Sequence, residues 1–445
     1  MHDVGTYGWL WALPFAGLIL TIAVAPLMLR HHWERHYAII AVGWVLIFVV
    51  ADTIAFGAAA AAARIVAVAL LEYLPFILLV GTLHVVTGGI HVHGTPRGTP
   101  AINTALLAVG TALASIIGTP GAGLLLVRPL LRANRHRRHT RHVFVFFIFL
   151  VCNVGGALSP LGDPPLLLGY LRGVPFFWPT THLALPTLTL AAGLLAIFYG
   201  LDRYLREREG GPQTAPLAGR GPLGIEGRTN VALLGAAGVA ILLRAFWHTD
   251  AAVAVMGTRW GAADIAADAL LAAAALLSLA LTPAAIRRAN EFAWAPVVEV
   301  AVLFGAIFIT VIPVTAIMAA GASGPAAPLI ERMVIDGRPD NALFYHVTGV
   351  LSAFVDNAPT YLVFFGLAGG DPARLAGPLS GTLAAISAGA CYFGGLSYIG
   401  NAPNLLVKTI VESNGIRMPG FFGYIAWAAV CLLPWLVVVE FLFIR

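Results

Sequence analysis

Apolar runs of bilayer length alternate with short polar turns along the whole chain. The first run, Tyr7–Leu29, is long enough to cross a bilayer, which takes roughly 20 residues. The stretch Arg30-His31-His32-Trp33-Glu34-Arg35-His36 reads as a basic turn. Tyr37–Ala63 returns, and Val66–Ile90 crosses again with Glu72 and His84 inside it. Ala101–Gly118 and Gly121–Leu131 are each too short to cross. Gly118-Thr119-Pro120-Gly121 joins them, so the pair reads as a re-entrant helical hairpin with its tip at membrane depth. Val143–Leu171 is apolar but interrupted. Between Cys152 and Pro165 it holds three glycines, three prolines, a serine and an aspartate. Proline removes a backbone donor and clashes with the preceding turn, so the helix must break there. The freed backbone groups need protein or a water-lined cavity around them. Leu183–Leu201 then completes the first half.

Arg203 to Arg228 is polar, arginine-rich and holds Gly and Pro; it is the one stretch that reads as a linker. Beyond it, Asn230–Phe246 and Ile265–Leu281 cross, and Arg287-Arg288 marks a turn. Phe292–Ala320 crosses carrying Glu299. Ala342–Val355 and Pro359–Leu367 are again two short arms, separated by Asp356-Asn357-Ala358. Leu383–Ile410 is a second interrupted span, and Phe421–Phe443 is the last. The pattern divides the chain into 1–205, a linker at 206–228, and 229–445. Each half has five crossings and one hairpin. Five is odd, so the second half enters the membrane inverted relative to the first, the plan of inverted-repeat transporters.

The halves also match residue by residue. Leu158-Ser159-Pro160-Leu161-Gly162-Asp163-Pro164-Pro165-Leu166-Leu167-Leu168 aligns with Leu396-Ser397-Tyr398-Ile399-Gly400-Asn401-Ala402-Pro403-Asn404-Leu405-Leu406. The offset is 396 − 158 = 238, and the same offset sets Thr119 on Asn357 and Gly118 on Asp356. A shared offset at two separate motifs points to duplication. Glu72 and Glu299 lie on equivalent spans at a different offset, 299 − 72 = 227.

Composition agrees with this pattern. The chain has 445 residues, of which 59% are hydrophobic and 11% charged, against about 25% charged in soluble domains. The class is an all-α polytopic membrane protein. The net charge of +5 arises from basic residues gathered in turns, so it does not indicate nucleic-acid binding. The densest cluster, Arg132 to His142, contains five arginines and marks the cytoplasmic side by the positive-inside rule. This places the linker in the cytoplasm and the N-terminus outside, in a bacterial inner membrane. A lipid-phosphate role for the cluster is the second reading. Cys152, Cys391 and Cys431 lie in apolar runs without a disulfide or metal-binding spacing. The first run has no Lys or Arg before it and no cleavage site, so it reads as a span rather than a signal peptide.

Two hairpin tips and two broken helices are expected to meet near the bilayer midplane. Carbonyls with Ser, Thr, Asn and carboxylate oxygens make a hard-cation site. The candidate residues are Thr119, Asn153, Ser159, Asp163, Asp356, Asn357, Thr360, Ser397, Asn401 and Asn404. Of these only Asp163 and Asp356 titrate, and both are candidate Na⁺ ligands. Burial favours a protonated carboxyl and a bound cation the ionised form, which suffices for cation/proton antiport. Glu72 and Glu299 are further candidates for proton coupling. Each has a plainer reading. Asp163 and Asp356 could cap helices or close turns, and Ser397, Asn401 and Asn404 could satisfy freed backbone. Glu72 and Glu299 could pair with Arg64, a histidine or the backbone. Arg128 reads as a side chain snorkelling to the inner face, or as an anion contact. His84, His91 and His93 lack the partners of a metal site. No nucleotide-binding loop, dinucleotide fingerprint or catalytic triad pattern is present, so no enzyme and no cofactor are expected.

At these residues the chain resembles the ion transporter superfamily, which includes sodium/proton antiporters, citrate and dicarboxylate carriers and arsenite exporters. The motif from Asn153 to Asp163 resembles the broken helix of the sodium/proton antiporter branch, and Leu351 to Thr360 resembles that branch's second hairpin. Overall the chain looks most like a subfamily labelled citrate transporter or sodium/proton antiporter. The resemblance covers nearly the whole chain. It implies a scaffold domain, a mobile transport domain, elevator-like movement and a homodimer. Where that branch carries Asp-Asn in the first hairpin, this chain has Gly118-Thr119. That departure leaves one carboxylate fewer at the ion site. Two carboxylates in a low-dielectric cavity would still repel a bare anion, so the reading is a proton-coupled cation antiporter, Na⁺ and H⁺ being its expected cargo. A cation- or proton-coupled citrate carrier is the alternative, and arsenite export, a channel and an intramembrane enzyme follow.

Overall fold

The computed structural model describes residues 7–94, 97–209, 224–247, 249–321, 324–335 and 338–445. The linker residues 210–223 lie outside the described residues. Helix dominates. The first half runs through α1 (Leu13–Met28), α2 (Arg30–Phe56), α3 (Ala58–Val68), α4 (Leu74–Thr87), α5 (Pro100–Ile117), α6 (Thr119–Asn134), α7 (Arg141–Leu150), α8 (Pro164–Leu171) and α9 (Trp178–Arg208). The second half has α10 (Arg228–Phe246), α11 (Ala262–Leu281), α12 (Ala284–Ala289), α13 (Ala295–Thr310), α14 (Ile312–Ala319), α15 (Ala327–Arg332), α16 (Asn341–Val355), α17 (Asn357–Leu367), α18 (Pro372–Ala376), α19 (Ser380–Phe393), α20 (Ala402–Ser413), α21 (Phe421–Cys431) and α22 (Leu433–Val439).

By length and composition, seven helices among the described residues suit a membrane crossing, and two bent pairs bring the number to nine. The sequence pattern expects ten. Two expected spans fall short, and the first hairpin arm, expected to be too short to cross, is long and apolar enough to count over Pro100–Ile117. The first span forms an apolar helix only over Trp9–Ala25, and Leu383–Ile410 divides into α19 and α20. Exposed apolar side chains such as Ile54, 81% exposed, suit a hydrocarbon surrounding.

Three boundaries move for physical reasons. The expected turn around Arg64 is at Gly57, whose φ of +85° glycine adopts without cost. The alanine run after it continues as helix, the best conformation for alanine. Arg30–His36 is not a turn but the opening coils of α2. The span α3–α4 is joined through a π-turn at Ala69–Tyr73, just before Pro75, whose missing N–H breaks the regular ladder. Proline also accounts for the 42° bend between α13 and α14, at Pro313, and the 41° bend between α21 and α22, at Pro434.

Three two-stranded antiparallel pairings among the described residues depart from the all-helical expectation. β1 (His91–His93) pairs with β2 (Gly224–Glu226), β3 (Ala252–Val255) with β4 (Thr258–Gly261), and β5 (Val334–Ile335) with β6 (Arg338–Pro339). All lie in connections between helices. The first pair ties the loop after α4 to the strand before α10.

The deepest packing is around the broken spans. Val143 to Val154 is buried on every side, and so is Leu383 to Phe393 apart from Ala384. The hairpin arm α5 packs on α7 and α9, and α16 packs on α19. The second arms cross over between halves: α6 packs on α20 and α17 on α8.

Candidate ion site

Each hairpin turns on one residue. Gly118 separates α5 from α6 with φ, ψ of 81°, 150°. Asp356, 238 positions on, separates α16 from α17 with φ, ψ of 83°, 146°. Glycine holds this region freely, whereas for other residues it is strained by roughly 1–3 kcal/mol. Asp356 therefore occupies a glycine position. Its Oδ1 accepts from the Ala358 N–H, capping α17. Thr360 Oγ1 donates to the Asp356 carbonyl at 2.8 Å.

The two broken spans leave helix in the same way. After α7 the chain forms a 3-10 turn at Val154–Leu158, is extended at Ser159, turns at 160–162 with the Gly162 N–H donating to the Ser159 carbonyl, is extended again at Asp163, and resumes as α8. After α19 it forms a 3-10 turn at Gly394–Leu396, extends through Ser397 to Asn401, and resumes as α20. Ser159 Oγ donates to the Ser115 carbonyl and accepts from the Leu161 N–H. Ser397 Oγ donates to the Ala353 carbonyl and accepts from Ile399 and Gly400. Gly162 is required at its crossing, because a Cβ there would lie 2.1 Å from the Gly156 carbonyl oxygen. Gly400 stands in the same relation to Gly394 O, at 2.7 Å.

Asp163, the N-cap residue of α8, is 1% exposed and is held by neutral donors. Thr119 Oγ1 donates to Oδ1 at 3.2 Å, Asn401 Nδ2 to Oδ1 at 3.2 Å, and Asn357 Nδ2 to Oδ2 at 2.6 Å. Both tips and both broken spans thus meet on one carboxylate. The Asn357 Oδ1 atom is buried without a hydrogen-bond partner among the described residues. Asp163, Asp356 and Asn401 line one cavity of about 100 Å³. No lysine or arginine is among the described residues that line it; its only basic side chain is His84. The N-termini of α6, α8, α17 and α20 meet here, bringing the positive ends of their dipoles. Prolines 120, 164, 165, 359 and 403 fall in the first turns of these helices and remove backbone N–H groups that an anion would use.

The other expected site residues stand back from the cavity. Asn153 and Asn404 join the halves: Asn153 Nδ2 donates to Asn404 Oδ1 at 2.9 Å and to the Ile148 carbonyl. Asn404 Nδ2 donates to the Gly394 and Ser397 carbonyls. These asparagines, with Ser159 and Ser397, satisfy backbone freed by the breaks. Glu72 lies on the π-turn and pairs with Arg172 at 3.0 Å, not with Arg64. Arg64 instead pairs with the buried Asp52 at 2.6 Å, which also accepts from Tyr7 OH. Glu299 stands on an exposed part of α13. His84 meets the Ala293 carbonyl and His91 meets Asn290, so neither turns to a shared centre.

Besides Arg64–Asp52, sequence reasoning missed other ion pairs, among them those of Arg128, Arg172 and Asp202. Arg128 reaches Glu291 at 2.8 Å rather than merely snorkelling. Arg172 holds Glu72. Asp202, fully buried, accepts from Arg137 and from Asn103 at 3.0 Å, and meets His142 at 2.8 Å. Arg137 also reaches Glu209. The arginine cluster is thus partly a packed network joining the hairpin, α7 and α9. The partners are far apart in sequence, and local spacing carries no signal for them.

The fold and site define a polytopic α-helical membrane protein of transporter type. The chain belongs to the family described as "Putative citrate transport", whose sequence model matches residues 4–444. No curated protein matches it.

Proposed function

We propose that this secondary transporter couples a cation to protons at Asp163 and Asp356, most plainly as a Na⁺/H⁺ antiporter. The observation that carries this reading is the buried Asp163 carboxylate, held by Thr119, Asn357 and Asn401 with no basic side chain in contact. An ionised carboxylate out of water is costly unless paired, so it takes a proton or a cation. Asn357 Oδ1 supplies a further oxygen of the hard-cation type. The absence of donors on the helix N-termini at their prolines disfavours a bare anion there.

Citrate transport is the second reading, supported by the family description. A bound cation would neutralise the carboxylates, and the four helix dipoles would then favour a carboxylate beside it. The two readings share the cation site and differ in what travels with it.

The matched tip geometry and seams support two inverted repeats. The tips and broken spans would form a mobile unit moving elevator-like against α1–α4 and α10–α14, in a homodimer in a bacterial inner membrane. The test is reconstitution with an internal pH dye under an imposed proton gradient, adding Na⁺, Li⁺, K⁺ or citrate in turn. Antiport dissipates the gradient on cation addition alone. If citrate does so and no cation does, the antiport reading fails.

A further inference from the structure

The cavity at Asp163 continues toward the face that carries the Arg132–Arg141 cluster. A second cavity of about 140 Å³ shares His84, Leu124, Pro296 and Leu406 with the first. A third, of about 290 Å³, opens among the arginines. The second and third share two residues, Arg128 and Glu291. These are the ion pair, at 2.8 Å, and it bridges the hairpin arm α6 to the connection between α12 and α13. Two separately packed elements are thus joined by a side-chain contact across the route.

Glu291 has a second unusual feature. Its φ is +46°, one of three positive values at non-glycine residues among those described. Asp356, at the ion site, is another. A glutamate seldom takes this conformation, which glycine or asparagine would hold with less strain. Residues held in such conformations gather at functional sites. The Glu291 side chain is 72% exposed while Arg128 is 15% exposed, so nothing in the core explains the glutamate there.

We infer that Arg128 and Glu291 form a gate on the route between the ion site and the arginine-rich face. When the pair is made, α6 is held against the α12–α13 connection and the passage is narrowed. When it parts, the second and third cavities join. An exposed pair is weak and easily parted, which suits a gate that opens in every cycle. The inference rests on the cavity being the transport site, but its test needs no transport.

The test is Leu124→Cys in a protein whose native cysteines are replaced. Leu124 lies where the first and second cavities meet. The rate of its modification in detergent is measured with a cationic and an anionic thiosulfonate reagent. Arg128→Gln, Glu291→Gln and Glu291→Gly are each expected to speed both reagents about two- to fivefold, the range of an exposed ion pair. Arg128→Glu with Glu291→Arg is expected to return the rate toward the starting value. High salt should speed the parent and leave the neutral variants unchanged. Glu291→Gly relieves the backbone and so remains informative if another variant fails to fold. Unchanged rates in all variants would overturn the gate. So would opposite shifts of the two reagents, which signal altered charge without opening. If labelling responds while no cation moves protons, the gate stands and the antiport reading falls.

Discussion

Asp356→Gly separates what Asp356 does for the fold from what it does for transport. Asp356 sits at φ, ψ of 83°, 146°, where Gly118 sits in the first hairpin. Glycine at this position relieves ~1–3 kcal/mol of strain. It loses the cap from Oδ1 to the Ala358 N–H, and replacing a cap by glycine costs only a few tenths of a kcal/mol, about 0.3. It also adds backbone freedom to the unfolded chain, which costs ~0.5–1 kcal/mol. The balance lies between about neutral and ~2 kcal/mol in favour of the variant. The carboxylate lining the cavity is gone. Thermal unfolding in detergent should therefore show a midpoint equal to or above the parent, while proteoliposomes show no cation-dependent proton movement. Asp356→Asn keeps a capping oxygen and the strain, and should match the parent in stability but not in transport. A marked fall in stability of Asp356→Gly would refute the strain argument. Full activity would refute the role of the carboxylate.

Two further substitutions test the frame around the site. Gly162→Ala places a Cβ 2.1 Å from the Gly156 carbonyl, so the crossing must separate. The expected cost is ~1–3 kcal/mol or more, read as a lowered midpoint or loss of monodisperse protein in size-exclusion chromatography. Asp202→Asn leaves Arg137 and His142 without their buried carboxylate. Breaking a buried pair costs ~3–5 kcal/mol, so the midpoint should fall, while any surviving protein keeps the parent's ion preference because Asp202 lies outside the cavity.

Much of the fold was legible because membrane spans and their breaks are written locally. The breaks at Gly118-Thr119-Pro120-Gly121 and at 152–165 act on their own neighbours, and the matched motifs at Asp163 and Asn401 show in an alignment of the chain with itself; the break at Gly57, within an alanine-rich apolar run, was not read. The candidate site's grouping was legible in outline for the same reason: Thr119, Asn357 and Asn401 meet Asp163, and Asp356 lines the same cavity. What was not legible is how polar residues divide their work. Asn153 and Asn404 are drawn from the same motifs as Asn401, but their amides are consumed by each other and by three carbonyls. That depends on the packing of two spans 251 residues apart. The partners of Glu72 and Arg128 are likewise distant. Their choice is set by which helix ends approach, and no spacing records it.

Proton release on cation binding tests the central claim most directly. Purified protein in weakly buffered detergent solution is titrated with Na⁺, Li⁺ or K⁺, and released protons are counted with a pH indicator. A cation that displaces a proton from the buried carboxylates should give a saturable release. Asp163→Asn should abolish it. Release that is undiminished in Asp163→Asn would contradict the assignment of Asp163 as the shared cation and proton site, and so would citrate binding that needs no cation.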